Sequence, residues 1–214
     1  GHSFRVAAMC RNTAEAINSL HQGPLSTVHF SPSQLKAIEF AGLLHDFGKV
    51  YIDPAIFLKG KKLYMKDHEN LRRRLHLIHR SLESGIGLRR TSTETDLRTR
   101  KEHLSLIIDK VEMLNEPQVV DADPGSEVDS ILRSADDLLC VDPDGDLIPL
   151  LTEEDAENLR IHRGSLNPKE RVIIESHVEH SYRFVARIPW PDEYAEIPEI
   201  VYGHHEKLDG SGYP

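Results

Sequence analysis

Residues 204–214 read His-His-Glu-Lys-Leu-Asp-Gly-Ser-Gly-Tyr-Pro and end the chain. A second informative stretch, His45-Asp46-Phe47-Gly48-Lys49, lies far upstream. Each stretch contains an adjacent pair of residues of the types that bind divalent metal ions, His-Asp in one and His-His in the other. A lysine follows His-Asp, and a glycine-rich turn follows His-His. Together the two stretches predict a site that holds more than one metal ion and acts on phosphate.

The His-Asp pair lies near the end of a predicted helix. Ser31-Pro32-Ser33-Gln34 has the form of a capping box with proline at the first helical position. The helix carries Leu35, Ile38, Gly42 and His45 along one face, and Gly48 breaks it. We therefore expect it to deliver His45 and Asp46 to the interior.

Three further helices are predicted to supply histidines. A first helix carries His2, Val6, Met9, Thr13, Ile17 and Leu20 at helical spacing, and Gly23-Pro24 stops it. A helix that begins at Asn167-Pro168 carries the stripe Ile173, His177, His180 and Phe184, which places His177 in its middle. The final helix begins at Asp192 and aligns Ile197, Ile200, Val201 and His204.

The middle of the chain has a different pattern. Leu71, Leu75, Ile78 and Leu82 form one seam, and Leu104, Ile108, Val111 and Leu114 form another, separated by charged sequence from Ser84 to Thr99. This favours an antiparallel helical hairpin, followed by an amphipathic piece and two short strands at Leu139–Val141 and Leu147–Leu151. We predict an all-α protein in which residues 1–66 and 167–214 form the catalytic bundle. Residues 67–166 are predicted to be a helical insertion with a short β-hairpin near 139–151.

Composition limits the class of protein. The chain has 35 acidic and 26 basic residues and a formal net charge of -9, so a surface for polymeric nucleic acid is not expected. It has no apolar run long enough for a membrane span and no signal peptide, which predicts a cytoplasmic protein. Cys10 and Cys140 are predicted to be small core residues in a reducing compartment.

Hydrolysis of a phosphodiester explains why these residue types occur together. Two metal ions bridged by a carboxylate activate water and offset the charge of the phosphoryl oxygens. Side chains of adjacent residues on a helix diverge by ~100°, so His45 and Asp46 are predicted to reach two neighbouring ions, with Asp46 as the bridge. His204 and His205 have the same spacing, and His2 and His177 are further candidate ligands. Lys49 is placed to bind a phosphate oxygen.

Each histidine also has a structural interpretation. A lone histidine such as His2 or His177 is more often a hydrogen-bonded core or surface residue than a ligand. His180 is expected to be a partner of a ligand and not a ligand itself. The order His-His-Glu-x-x-Asp-Gly-x-Gly-Tyr-Pro is far too specific to arise by chance.

The motifs resemble those of the HD-GYP family, a branch of the HD phosphohydrolases, most closely over residues 31–59 and 164–214. The resemblance implies an all-helical HD bundle that hydrolyses cyclic di-GMP, or a related cyclic dinucleotide, through metal-activated water. It implies two or three divalent ions, iron or manganese, and a role in bacterial signal transduction. The positions that match metal ligands are His2, His45, Asp46, His177, His204 and His205, while Lys49 matches the substrate-binding lysine.

The resemblance also concerns the loop after the paired histidines. Glu206, Asp209, Gly210, Gly212, Tyr213 and Pro214 complete the family signature. In the family, this loop is associated with contacts to diguanylate cyclase domains. Family members carry an acidic ligand before the position of His2 and an aspartate ligand after the loop, so a chain truncated at both ends is expected.

Other functions remain open from the sequence. One alternative is an HD phosphohydrolase that acts on another nucleotide or phosphate ester. Another is a non-catalytic module that senses a cyclic dinucleotide or binds a partner domain. The insertion is a candidate for gating access to the site or for forming a homodimer.

Overall fold

The computed structural model describes residues 1–85, 93–117, 123–142 and 144–214, which are predominantly helical. Its helices are α1 (His2–Asn18), α2 (Pro32–Leu44), α3 (Pro54–Phe57), α4 (Met65–Ser84), α5 (Glu94–Asn115), α6 (Pro124–Arg133), α7 (Glu153–Leu159), α8 (Pro168–Glu175), α9 (His177–Val185) and α10 (Ile197–Tyr202). Two short strands are described, β1 (Cys140–Val141) and β2 (Leu147–Ile148). The prediction of an all-α fold is confirmed.

The chain divides into two compact units. The first comprises Gly1–Phe57 and Lys169–Pro214, and the second comprises Leu58–Pro168. The sequence predicts a catalytic bundle at 1–66 and 167–214 and an insertion at 67–166. The structural division does not test which unit is catalytic. That assignment stays a prediction.

The start of α2 follows the predicted capping box. The Gln34 amide donates to Ser31 Oγ at 3.2 Å, and the Ser31 amide donates to Gln34 Oε1 at 2.9 Å. The helix ends at Leu44, and a 3-10 turn occupies Phe47–Tyr51. Asp46 therefore lies between the two elements, where the backbone changes direction.

The buried face of α1 differs from the predicted one. Ala7 and Ala14 are buried, whereas Met9 is 69% exposed and Leu20 lies beyond the end of the helix at Asn18. The reason is the close approach of α1 to α2, because a Cβ added at Gly42 would lie 2.7 Å from the Cα of Ala7. Only small side chains fit at such a crossing, and the larger Phe4 and Met9 of α1 are exposed.

The prediction that both cysteines are core residues is half wrong. Cys140 is fully buried, but Cys10 is exposed. Cys10 borders an open cleft beside Val6 and Ile38, which explains its exposure.

The carboxyl-terminal helices also differ in extent from the prediction. The helix expected across His177 is two helices, α8 and α9, that meet at Ser176, so His177 begins α9. The helix expected from Asp192 begins at Ile197, after a 3-10 turn at Asp192–Tyr194. Pro198 accounts for the late start, because proline is favoured in the first turn of a helix. Val185, Ile197 and Val201 pack with Ala37 and Ala41 of α2 into the core of the first unit.

The second unit has its own apolar core. The predicted seam of α4 is buried, while the seam of α5 buries Ile107 more fully than Ile108. Helix α5 begins at Glu94, because Thr93 forms a capping box with Asp96, so the separating segment predicted to reach Thr99 ends earlier. Residues 86–92 of that segment lie outside the described residues. Strands β1 and β2 pair antiparallel, with Cys140 opposite Ile148.

Among the described helices, none combines the length and apolar character needed to cross a bilayer.

Candidate metal centre

Two groups of metal-ligating side chains lie in the first unit. One group is His2, His45 and Asp46, and the other is His177, His204 and His205. Within each group the candidate ligand atoms lie within 4.8 Å of one another. The six side chains come from α1, α9 and the segments after α2 and α10, so residues far apart in sequence are brought to one place. These six are the metal ligands predicted from sequence.

The carboxylate of Asp46 lies between the two groups. Its Oδ2 is 3.1 Å from Nε2 of His45 and 3.8 Å from Nε2 of His2. Its Oδ1 is 3.5 Å from Nε2 of His177 and 3.9 Å from Nε2 of His204. One oxygen thus faces each group, which is the arrangement that a bridging carboxylate requires.

Three of the histidines are oriented by the same local contact. The Nδ1 atoms of His45, His177 and His204 lie 2.9, 2.5 and 2.6 Å from the carbonyl oxygens of Gly42, Ile174 and Val201, each three residues earlier. A carbonyl oxygen only accepts, so each Nδ1 carries the proton. In a neutral ring Nε2 is then left as a lone-pair donor to a metal, which is the usual way proteins set the tautomer of a ligating histidine.

The facing rings of His177 and His204 fit a divalent ion. Their Nε2 atoms lie 3.3 Å apart. Because both Nδ1 atoms carry the protons of the neutral rings, two lone pairs face each other and cannot form a hydrogen bond. A cation satisfies both, and two nitrogens at ~2.1 Å from one tetrahedral ion lie ~3.4 Å apart. The donor set is therefore chemically suited to a metal.

The electrostatics of the site favour the same state. Burial lowers the pKa of His204 to about 4, and burial also lowers the pKa of His177 and of His205. These three rings are neutral near pH 7. Burial by itself would raise the pKa of Asp46, but hydrogen bonds from His45 and Lys49 hold it well below its usual range. The site therefore combines an ionised carboxylate with neutral imidazoles, as metal binding requires.

His45 differs from the other three rings. Its hydrogen bond to Asp46 raises its pKa, because both ring nitrogens face oxygen atoms and the doubly protonated ring satisfies both. In the metal-free protein, His45 and Lys49 thus share the task of neutralising the Asp46 carboxylate.

Lys49 is the cation next to the carboxylate. Its Nζ donates to Asp46 Oδ2 at 2.7 Å, lies 5.7 Å from the centre of the Phe57 ring, and remains 41% exposed. A cleft of ≈ 510 Å³ opens beside it. The wall of that cleft is partly apolar, with Val6, Ile38 and Ile200, and its polar side includes His2, His45, Asp46, Lys49, His204 and His205.

The glycine-rich loop folds back against the paired histidines. The ring of Tyr213 stacks on the ring of His205, with 4.6 Å between centres and 19° between planes. The amide of Gly212 donates to Glu206 Oε1 at 2.8 Å, and a Cβ at Gly212 would lie 2.4 Å from the carbonyl oxygen of His205. Asp209 instead accepts from the amide and hydroxyl of Ser211, so in this structure it organises the loop.

Two glycines of the loop are required for different reasons. Gly210 has φ = +73°, a conformation that side chains disfavour. Gly212 has an ordinary φ, and its small size is required by the close backbone approach. Pro214 closes the stretch after Tyr213.

One geometric prediction is wrong. His45 and Asp46 were predicted to diverge by ~100° on a helix, yet His45 Nε2 and Asp46 Oδ2 are 3.1 Å apart. Helix α2 ends at Leu44, and Asp46 has φ -97° and ψ 8°, outside the helical region, so the two side chains meet. His204 and His205 likewise follow the end of α10, and their rings are 4.3 Å apart.

Sequence reasoning missed Ser181, which binds the turn that follows Asp46. The Gly48 amide donates to Ser181 Oγ at 2.8 Å, and Ser181 is fully buried. Its position four residues after His177, on the same face of α9, was the available signal. His180, predicted as a partner of a ligand, stacks on Tyr51 with 5.1 Å between ring centres.

Comparison with known families agrees with this geometry. Models described as the HD domain match residues 1–138 and residues 154–214, the first of which alone covers more than half of the chain. No curated protein and no solved structure matches.

Proposed function

This chain belongs to the HD domain family, whose members are metal-dependent phosphohydrolases, and from that premise we propose that it is an HD-GYP phosphodiesterase that hydrolyses cyclic di-GMP. The observation that carries the proposal is the position of Asp46. It lies between two groups of histidines, beside Lys49, in a site that ends with a complete His-His-Glu-x-x-Asp-Gly-x-Gly-Tyr-Pro stretch.

We assign the metal ligands from the distances around the carboxylate. His2 and His45 would hold one ion, and His177, His204 and His205 another, with Asp46 shared between them. When bound, the divalent ions supply Lewis-acid chemistry, lowering the pKa of water and offsetting negative charge on the phosphoryl oxygens. Iron or manganese is proposed for both positions.

The protein's own side chains orient and bind. The carbonyl oxygens of Gly42, Ile174 and Val201 hold three imidazoles in the tautomer that exposes Nε2. Stacking of Tyr213 limits rotation of the His205 ring. Lys49 presents an ammonium group to the cleft and binds a phosphoryl oxygen of the substrate. The partly apolar wall of the cleft accepts the less polar part of the dinucleotide.

Substrate profiling tests the proposal. Protein loaded with Mn²⁺ or Fe²⁺ is incubated with cyclic di-GMP, and the products are separated by chromatography. We expect a linear dinucleotide or GMP to form. Product formation should be abolished by a chelator and by Asp46→Asn. It should be retained in His162→Ala, which alters an exposed histidine of the second unit.

Two other results would contradict the proposed substrate. Turnover of other nucleotides or phosphate esters, with none of cyclic di-GMP, would indicate a different HD phosphohydrolase. Binding of cyclic di-GMP with no hydrolysis would indicate a sensor. The predicted contact of the Gly-Tyr-Pro loop with diguanylate cyclase domains stays a prediction.

A further inference from the structure

One face of α9 binds the turn that follows the His-Asp pair. Phe184 stacks on Phe47 with 3.8 Å between ring centres, and His180 stacks on Tyr51. Between these two stacked pairs, the amide of Gly48 donates to Ser181 Oγ. Because residues 177, 180, 181 and 184 share one face of a helix, the helix that carries His177 also holds the segment that carries Asp46 and Lys49.

The turn approaches α9 closely at Gly48. A Cβ added at Gly48 would lie 2.0 Å from the carbonyl oxygen of His177 and 2.6 Å from the amide nitrogen of Ser181. Gly48 has an ordinary φ, so glycine is needed here for proximity and not for backbone conformation. The backbone of the turn thus lies against the backbone of α9 at His177, a candidate ligand, and at Ser181, one helical turn further on.

Ser181 is the polar group of this contact. It is fully buried, and its hydroxyl oxygen accepts a hydrogen bond from the buried backbone amide of Gly48. A buried amide without an acceptor is costly, so loss of the hydroxyl favours separation of the turn from α9.

We infer that Ser181 is a positioning residue for the metal centre: through Gly48 it fixes Asp46 and Lys49 relative to His177. This inference rests on the proposed function, because it assigns Ser181 to the same site. Ser181 contacts neither substrate nor metal and acts through the backbone of the turn. Partners that orient metal ligands typically contribute about 10–100-fold to metal affinity.

The test compares Ser181→Ala with one stability control and two rescue variants. Val185→Ala, on the same helix, removes a buried side chain that packs with Ile197 and Val201 and is a control for lost stability. Ser181→Thr keeps the hydroxyl and tests for rescue. The readouts are the Kd of Mn²⁺ by calorimetry, the exchange rate of the Gly48 amide in metal-free protein, and the division of any activity loss between kcat and KM.

We expect Ser181→Ala to weaken Mn²⁺ binding about ten-fold and to accelerate exchange of the Gly48 amide. Val185→Ala should lower the melting temperature yet leave the Kd within about two-fold of wild type. A threonine methyl group has little room at a fully buried position. Ser181→Cys is therefore a second rescue variant, because its thiol retains a weak hydrogen-bond acceptor.

The outcomes separate the two claims. Wild-type protein that binds no Mn²⁺ would contradict the proposed function. Wild-type protein that binds Mn²⁺ with the same Kd as Ser181→Ala would overturn the role of Ser181 alone, as would equal loss of affinity in Val185→Ala.

Discussion

Substitution of Gly48 by alanine is expected to damage the metal centre without altering any ligand. The added Cβ would lie 2.0 Å from the carbonyl oxygen of His177. Since carbon and oxygen atoms in contact normally lie more than 3 Å apart, the turn and α9 must separate by roughly 1 Å. Both partners in this contact are backbone, so no side chain can rotate to relieve it.

The separation should affect stability and affinity together. Overpacking of this kind costs about 1–3 kcal/mol, which lowers the melting temperature of a unit of this size by roughly 10 °C. Loss of a contact that orients metal ligands costs about 10–100-fold in metal affinity, and we expect a loss of that order in Mn²⁺ affinity. The assays are thermal unfolding of metal-free protein and calorimetric titration with Mn²⁺.

Gly60→Ala provides the matched control. A Cβ at Gly60 would meet nothing closer than the carbonyl oxygen of Leu58, at 4.0 Å, and Gly60 lies in the second unit. Equal melting temperatures and equal Mn²⁺ affinities for Gly48→Ala and Gly60→Ala would refute the close contact between the turn and α9.

Three further predictions concern the charges of the site. Asp46→Asn keeps the shape of the side chain but removes the anion that five cationic or imidazole groups face. Mn²⁺ binding by calorimetry and turnover in hydrolysis assays should therefore both fall below detection. Retention of either would contradict the bridging role. Lys49→Met should raise KM about ten-fold or more while Mn²⁺ affinity changes little, because we propose that the ammonium group binds a phosphoryl oxygen and not a metal. An unchanged KM would count against substrate binding by Lys49. In metal-free protein, burial lowers the pKa of His204 from 6.5 to about 4, so the unfolded chain binds more protons between these values and the free energy of unfolding should fall as the pH is lowered from 7 to 5. His177 and His205 act in the same direction and His45 in the opposite one. The complete shift of the His204 pKa corresponds to at most about 3 kcal/mol. In urea unfolding, the free energy of unfolding of His204→Gln should fall less between pH 7 and pH 5 than that of wild type, and an equal fall would contradict the prediction.

The sequence predicted which residues meet better than it predicted how they meet. Adjacent His-Asp and His-His pairs identified side chains that the fold does bring together. The same pairs suggested divergence on regular helices, whereas both follow helix ends, where the backbone leaves the helical conformation. Helix ends depend on tertiary contacts as well as on local sequence, so the convergence of His45 on Asp46 was not accessible from spacing alone.

Close packing accounts for the other differences. Apolar periodicity selected Met9 on α1, yet the helix buries Ala7 and Ala14 because Gly42 allows α2 to approach it. Hydrophobic periodicity identifies faces made of large apolar residues and does not identify a helix crossing formed by small residues. Ser181 was missed for a related reason, since its position four residues after His177 is a weak signal until its partner Gly48 is known.

The most direct test of the metal centre is anomalous diffraction from crystals of the Mn²⁺-loaded protein. We expect manganese peaks on both sides of the Asp46 carboxylate, with Nε2 of His177 and His204 as ligands of one ion and Nε2 of His45 as a ligand of the other. Manganese bound elsewhere, with the Nε2 atoms of His177 and His204 ligating nothing, would contradict it.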